Sequence, residues 1–220
     1  IASGFNRIIV LVNPKKSDEV ASVQQQIGLA EALLEGAGVK PANRISLIDD
    51  ADPDRIEQQL WDKPKLGKVK TAEFTALGSP RSVTRLATRS LAVANGVSME
   101  NPMPLPEGAP YGRVEVDTEN CTICLSCVGA CPSGALQDNP DAPQLLFKED
   151  ACLQCGICAV TCPEKVISLV PQFNLADSAL STELVIEDEP FACTKCGKAF
   201  GTTRSIEAIV EKLSTHSMFT

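Results

Sequence analysis

The chain has 220 residues, 44% hydrophobic and 22% charged, which is the composition of a water-soluble protein with one or two domains. Aromatic residues make up only 4%, so the core must be mainly aliphatic. Residues 1–100 carry 13 basic and 12 acidic side chains, whereas residues 101–220 carry 7 and 16, and the net charge of −8 therefore comes from the second half. This acidic half disfavours nucleic acid and favours a partner with a basic docking face, although solubility alone would also explain it.

The sequence shows no membrane-spanning segment. The most apolar short run, residues 8–12, is far too short to cross a bilayer, and no basic start leads into an apolar run as in a signal peptide. The first residue is Ile1 rather than Met, which indicates processing or a piece of a longer protein. We expect a cytoplasmic protein without a membrane span.

Residues 1–99 predict a Rossmann-like α/β domain, because short apolar runs alternate with stretches of helical periodicity. In chain order we expect a strand at Arg7–Asn13, a helix capped by Ser17 and ended by Gly36 or Gly38, a strand at Arg44–Ile48, a helix from Pro53 to Trp61, a strand at Thr71–Leu77, and a helix that starts at Gly78-Ser79-Pro80 and ends at Gly96. The order βαβαβα implies a small parallel sheet covered by helices.

This domain carries no nucleotide-binding motif, since neither G-x-G-x-x-G nor a P-loop follows the first strand. Backbone donors at the turn 13–17 could hold an anion, but an exposed lysine-rich loop explains the same residues. Arg81, Arg85 and Arg89 form a basic stripe that could dock an acidic partner, although a solvated face is more usual.

A proline-rich linker at residues 100–112 separates this domain from the rest. Its central part, Asn101–Pro110, holds four prolines and a glycine, and such a segment is extended and semi-rigid. We place a cluster-binding α+β domain at residues 113–172, and a C-terminal tail with a helix near Thr203–Ser214 at residues 173–220.

All ten cysteines lie between Cys121 and Cys196, in tight groups that favour metal ligation over disulfides. Residues 121–132 read CTICLSCVGACP and residues 152–163 read CLQCGICAVTCP, so each is C-x2-C-x2-C-x3-C-P and the two are offset by 31 residues. Three cysteines spaced by two residues wrap around one corner of a cuboidal cluster, while the fourth points away toward another cluster.

The spacing therefore predicts two [4Fe-4S] clusters with exchanged ligands. The first would be held by Cys121, Cys124, Cys127 and Cys162, and the second by Cys152, Cys155, Cys158 and Cys131. A pair of zinc sites is the first alternative, since zinc also binds thiolates, but zinc does not require this cysteine run or its repeat. A purely structural role for the clusters is the second, but one cluster would be enough to brace a fold. Aliphatic neighbours are expected to keep water from the sulfurs: Ile123, Leu125, Val128, Leu153, Ile157 and Val160. The predicted function is electron transfer, with no catalytic side chain.

A third group, Cys193-Thr194-Lys195-Cys196-Gly197-Lys198, is a single C-x2-C knuckle. With His216, the only histidine, it could bind zinc or iron, completed by residues beyond Thr220. A redox-active dithiol and a pair of reduced structural thiols are the other interpretations.

Residues 113–171 resemble the bacterial dicluster ferredoxin family at all eight ligand positions. Together with the tail, which reads FACTKCGKAF and later THSMF, they resemble the C-terminal portion of larger 4Fe-4S dicluster proteins associated with formate dehydrogenase. The resemblance implies an electron-transfer module of a larger redox protein, with formate dehydrogenase as a partner, and a second C-x2-C after the THSMF segment that this chain does not contain. A non-catalytic assembly factor for such a metalloenzyme is the alternative.

Overall fold

The computed structural model describes residues 1–13, 15, 18–62 and 64–214. The chain divides into two compact units, Ile1–Ala109 and Pro110–Thr220. The division falls inside the segment 100–112 that the prolines mark as a linker.

In its described residues, the first unit contains two paired parallel strands, one further short strand and three helices. Its elements are β1 (Ile8–Leu11), α1 (Glu19–Gly36), β2 (Ile45–Ile48), α2 (Pro53–Trp61), α3 (Pro80–Asn95) and the two-residue β3 (Met103–Pro104). Strands β1 and β2 pair with Ile8 opposite Ile45 and Leu11 opposite Ile48. Helix α1 buries its leucines Leu29, Leu33 and Leu34.

Local sequence signals explain where the helices of this unit begin and end. The Asp52 carboxylate accepts a hydrogen bond of 3.0 Å from the Asp54 amide, and Pro53 occupies the first turn of α2. The Ser79 hydroxyl accepts one of 3.2 Å from the Ser82 amide, and Gly96 ends α3 in the left-handed conformation at φ 70°. Both predicted helices are confirmed, whereas the predicted cap Ser17 lies outside the described residues.

The predicted strand Thr71–Leu77 is wrong, because these residues have no regular secondary structure. Side chains of α3 bind this segment instead of a neighbouring strand: the Ser90 hydroxyl donates to the Ala72 carbonyl at 2.7 Å. The parallel sheet therefore has two strands in the described part of this unit, and the Rossmann-like arrangement stays a prediction. Arg85 is buried, so the predicted basic stripe is not a continuous surface feature.

The second unit is built on the 31-residue repeat. Its elements are β4 (Gly112–Val116), α4 (Ser126–Ala130), β5 (Leu136–Asn139), β6 (Ala142–Phe147), α5 (Ile157–Thr161), β7 (Ile167–Phe173), β8 (Glu183–Glu187), β9 (Pro190–Ala192), β10 (Ala199–Thr202) and α6 (Thr203–Ser214), with single 3-10 turns at Glu149–Ala151 and Asp177–Leu180. Helix α5 is α4 shifted by 31 residues. The predicted tail helix is confirmed with its bounds.

Strand pairing joins the two halves of the repeat. Strand β4, which leads into the first motif, pairs antiparallel with β7, which leaves the second, and β6 pairs in the same way with β5. The repeat extends to single hydrogen bonds, because the Asp117 amide donates to the Val166 carbonyl at 2.9 Å and the Lys148 amide donates to the Ala135 carbonyl at 2.8 Å. Each half therefore completes the sheet of the other.

The remaining strands extend this arrangement. Strand β8 adds to β6 on the side away from β5, and β9 and β10 form an antiparallel hairpin. The hydrophobic core of the unit lies between the sheets and the cysteine loops, and it includes Val114, Leu136, Leu145, Phe147, Ile167 and Ile186 together with Cys127, Cys152 and Cys158. Within the described ranges, no helix has the length and apolar character needed to cross a membrane.

Candidate metal centres

Each cysteine motif forms a tight loop whose shape depends on left-handed residues. Ile123 and Leu125 have φ of 51° and 56° in the first loop, and their counterparts Gln154 and Gly156 have φ of 55° and 76° in the second. Left-handed residues that alternate with ordinary ones turn successive backbone N–H groups toward one concave side, which is a binding site for anions. Because a left-handed non-glycine residue costs about 1–3 kcal/mol, the surrounding structure must maintain these loops.

The first loop encloses a small cavity that opens toward solvent. Four cysteines line it: Cys121, Cys124, Cys127 and Cys162. Its remaining lining is mostly aliphatic and consists of Val116, Thr122, Ile123, Leu125, Leu145, Glu164, Val166 and Ile167. Glu164 is the one charged residue in this lining.

The second loop encloses a cavity of similar size. Its four cysteines are Cys131, Cys152, Cys155 and Cys158, and apolar residues such as Val114, Phe147 and Leu169 complete it. Each cavity thus takes three cysteines from one motif and the fourth from the other. The structure brings together the same cysteines that the sequence predicts for each cluster, and their binding of iron stays a prediction.

Four cysteines line each cavity, which is the number of thiolates that a cuboidal cluster requires. Such a cluster would offer each thiolate its own iron, whereas a single zinc ion would need four ligands that converge to about 2.3 Å from one point. In the described parts of the chain, no group of three or more Cys, His, Asp or Glu side chains is arranged to hold one metal ion.

Burial and hydrogen bonding act in opposite directions on these thiols. Burial raises the pKa of Cys127 to about 11, and the neighbouring charges of Cys121 and Cys124 add to the effect. Burial also opposes ionisation of Cys124, but hydrogen bonds with Ser126, whose Oγ lies 3.4 Å from Cys124 Sγ, lower the pKa of Cys124 overall. Because metal ligation requires the thiolate, metal binding at the buried cysteines must displace protons.

Three of the six predicted aliphatic neighbours line a cavity: Ile123 and Leu125 line the first, and Leu153 lines the second. Val128 lines neither cavity. Ile157 and Val160 also line neither and are 43% and 88% exposed, so the prediction is wrong for these two. Their counterparts in the first loop are the polar or small residues Ser126 and Gly129, which is the signal in the repeat that these positions face solvent.

The sequence analysis missed Gln154, which supports the second loop. Its Nε2 donates to the Arg113 carbonyl at 2.9 Å and lies 3.4 Å from Cys152 Sγ. The side chain thereby connects strand β4 to a cysteine of the second cavity. The signal that could have identified it is the replacement of an apolar residue, Ile123, by a polar one at the equivalent position of the repeat.

The C-x2-C knuckle lies at the turn of the β9–β10 hairpin. The Cys193 amide donates to the Lys198 carbonyl, the Gly197 amide donates to the Cys193 carbonyl, both at 2.8 Å, and Gly197 has φ of 69°. Backbone N–H groups of Lys195 and Cys196 lower the pKa of the Cys193 thiol. His216 lies outside the described residues, and zinc or iron at the knuckle stays a prediction.

Two adjacent four-cysteine cavities, built by exchange between the halves of a repeat, define an iron-sulfur domain of the dicluster type. Residues 120–167 match the protein family described as 4Fe-4S dicluster domain. The chain therefore contains a region that matches the 4Fe-4S dicluster ferredoxin domain.

The chain is also similar to proteins named as ferredoxins or as ferredoxin-like. The ferredoxin-type protein NapF of Escherichia coli K12 is 31% identical over 84 residues, which cover 35% of this chain and 48% of NapF. A ferredoxin of Pyrobaculum islandicum is 38% identical over 64 residues, covering 29% of this chain and 59% of that protein. The polyferredoxin-like subunit of an aliphatic sulfonate oxidoreductase from Pyrococcus furiosus is 40% identical over 48 residues, which cover 21% of this chain and 28% of the subunit. The matched regions thus span between 28% and 59% of the length of these relatives.

Proposed function

We propose that the chain binds two [4Fe-4S] clusters and transfers electrons through both of them within a larger redox protein or complex. The observation that carries the proposal is the pair of cavities, each lined by three cysteines of one motif and one of the other. When bound, each cluster supplies the acceptance and donation of one electron. The first would be held by Cys121, Cys124, Cys127 and Cys162, and the second by Cys131, Cys152, Cys155 and Cys158.

The protein's own residues contribute binding and electrostatics. The loops turn backbone N–H groups toward each cavity, which favours the negative charge of a thiolate-bound cluster. Helices α4 and α5 pack against each other, and the charge of Cys158, in the second cavity, contributes to the raised pKa of Cys127 in the first. This proximity supports electron exchange between the two sites rather than two independent roles.

The partner we propose is a redox enzyme, with formate dehydrogenase as the specific candidate, and the location is the cytoplasm. The resemblance of the tail and dicluster region supports the formate link, and the acidic charge of residues 101–220 supports a partner with a basic docking face. Co-purification of the tagged full-length protein from cells grown with formate tests this partner. Recovery without any formate dehydrogenase subunit would exclude it.

A second candidate function is that of a non-catalytic assembly factor for a metalloenzyme. The knuckle favours it, because Cys193 and Cys196 line neither cavity and electron transfer does not use them. Replacing the cluster cysteines by serine distinguishes the candidates. An assembly factor would still support maturation of its enzyme, whereas an electron carrier would lose its function.

The direct test is anaerobic quantification of iron, sulfide and zinc, combined with EPR of the reduced protein. We expect about eight irons and about eight sulfides per chain, four of each per cluster. The variant Cys162→Ser should lose or alter the cluster of the first cavity, while Cys196→Ser serves as the matched control and should leave both intact. An iron-free preparation, or an unchanged spectrum for Cys162→Ser, would contradict the proposal. Zinc that disappears in Cys196→Ser would assign the knuckle.

A further inference from the structure

The C-terminal hairpin and helix are attached to the loop of the first cavity. The Thr202 hydroxyl donates to the Thr122 carbonyl at 3.2 Å, and Arg204 Nη1 donates to the Thr118 carbonyl at 2.6 Å. At the far end of α6, Lys212 Nζ lies 2.7 Å from Glu164 Oε1. Thr122 and Glu164 both line the first cavity. These contacts join residues 48 to 86 positions apart in sequence.

The second half of the repeat is supported differently. The counterpart of Thr118 is Glu149, whose carboxylate accepts hydrogen bonds of 2.7 Å from Gln172 and 2.9 Å from Asn174. The counterpart of Thr122 is Leu153, which is 45% exposed. Arg204 therefore bonds to the backbone beside the first loop, whereas the counterpart residue beside the second loop, Glu149, bears a carboxylate.

The charged residues beside the two loops also differ. Arg204 donates to a neutral carbonyl, so the bond leaves its positive charge in place. Arg204 is held near Cys121, because Thr118 lies three residues before Cys121 and the Thr202 hydroxyl bonds to Thr122, the residue after it. Asp117 and Glu119 flank Thr118, whereas Lys148 and Asp150 flank Glu149 beside the second loop.

A second cation, Lys212, pairs with Glu164 in the lining of the first cavity. Glu164 is 25% exposed and lines the first cavity, where its carboxylate would disfavour added negative charge. Lys212 neutralises it through the ion pair. Among the described residues that line the second cavity, none is charged.

We propose that the tail segment Asp188–Ser214 makes the two clusters unequal, and that Arg204 raises the reduction potential of the cluster in the first cavity. The proposal depends on the proposed binding of two clusters. Reduction would add one negative charge, which a nearby cation stabilises. Arg204 is a positioning residue, which acts through its charge.

The test is an anaerobic redox titration followed by EPR, with Arg204→Gln as the main variant. Glutamine keeps hydrogen-bonding capacity for the Thr118 carbonyl and removes the charge. We expect one of the two reduction steps to move to lower potential by about 59 mV, a tenfold change in a one-electron equilibrium constant, while the other step stays in place. Arg204→Lys should retain most of the wild-type potential.

Further variants separate charge from loosening of the tail. Glu164→Gln should move the same step upward and Lys212→Gln should move it downward, each by less than Arg204→Gln because water screens this pair. Thr202→Val removes a tail hydrogen bond without a change of charge and should leave both potentials unchanged. Equal shifts of both steps, no shift in Arg204→Gln, or an equal shift in Thr202→Val would overturn the proposal. If the wild-type protein shows two reducible clusters and the variants give one of these contrary results, only this inference is overturned. If the wild-type protein lacks two reducible clusters, the proposed function is overturned as well.

Discussion

Gly112, the first residue of β4, lies where strand pairing and the second cysteine loop meet. A β-carbon at this position would collide with the carbonyl oxygen of Val170 and would lie 2.7 Å from Cδ of Gln154. The first contact is with backbone in the paired strand β7, so no side-chain rotation relieves it. The second would displace Gln154 from its hydrogen bond to the Arg113 carbonyl and from its position 3.4 Å from Cys152 Sγ.

The perturbation is Gly112→Ala. Forcing an extra methyl group into a packed site costs about 1–3 kcal/mol in the free energy of unfolding, and the backbone contact favours the upper part of that range. Because the strain reaches Gln154, we also expect faster loss of the cluster in the second cavity. The assay is anaerobic urea unfolding together with the rate at which the visible absorbance bleaches.

Gly129→Ala is the matched control. Gly129 lies in α4, close to the first cavity, and nothing lies within 4 Å of the β-carbon it would gain. Alanine is better than glycine inside a helix by about 0.5–1 kcal/mol, so this variant should be neutral or slightly more stable. If Gly112→Ala unfolds at the wild-type urea concentration, the close approach of β4 and β7 described above is incorrect.

Three further predictions concern single side chains. The carboxyl of Asp117 accepts hydrogen bonds from the Asn120 side chain and from the amides of Asn120 and Glu119, which hold its pKa below the usual 3.8. The ionised carboxylate therefore stabilises the folded loop above pH 3.8, and this contribution is lost as the pH falls through the lowered pKa. Asp117→Ala should therefore lose clusters faster than wild type at neutral pH, with the two rates converging in acid, and a constant ratio of rates would contradict this. Backbone hydrogen bonds lower the pKa of the Cys193 thiol, so in chelator-treated protein the rate of its alkylation should reach half its maximum below pH 9.0. Gly197→Val should disrupt the turn and raise that midpoint, which mass spectrometry of the alkylated protein measures. Ile123→Ala should cost about 2–5 kcal/mol in unfolding free energy, whereas the same truncation at the 88% exposed Val160 should be neutral.

Much of the second unit could be predicted from the sequence because its signals are short-range. The motif spacing groups the cysteines into two sets of four, and the structure places the same sets around the two cavities. The repeat predicts that α4 recurs as α5 at an offset of 31 residues. In the first unit, Asp52 and Ser79 mark helix starts through hydrogen bonds to residues two and three positions away. Such bonds form within a few residues and need no tertiary context.

The failed predictions concern segments whose state depends on distant partners. Thr71–Leu77 has the composition of a strand, but helix α3 supplies the hydrogen-bond donor for its Ala72 carbonyl, and side-chain binding replaced strand pairing. Val160 is apolar, which predicts that it shields a cluster, yet its side chain faces solvent. Its exposure depends on its position in the folded loop and not on its hydrophobicity.

The number of cysteine loops, their repeat and the chemistry that eight thiols in this spacing can support follow from the sequence, because chain geometry directly links residues two to four positions apart. The attachment of the tail to one loop and not to its counterpart is visible only in the folded chain. The contact between Arg204 and Thr118 spans 86 residues. No local pattern encodes a contact at that separation, because it depends on how all the intervening strands fold.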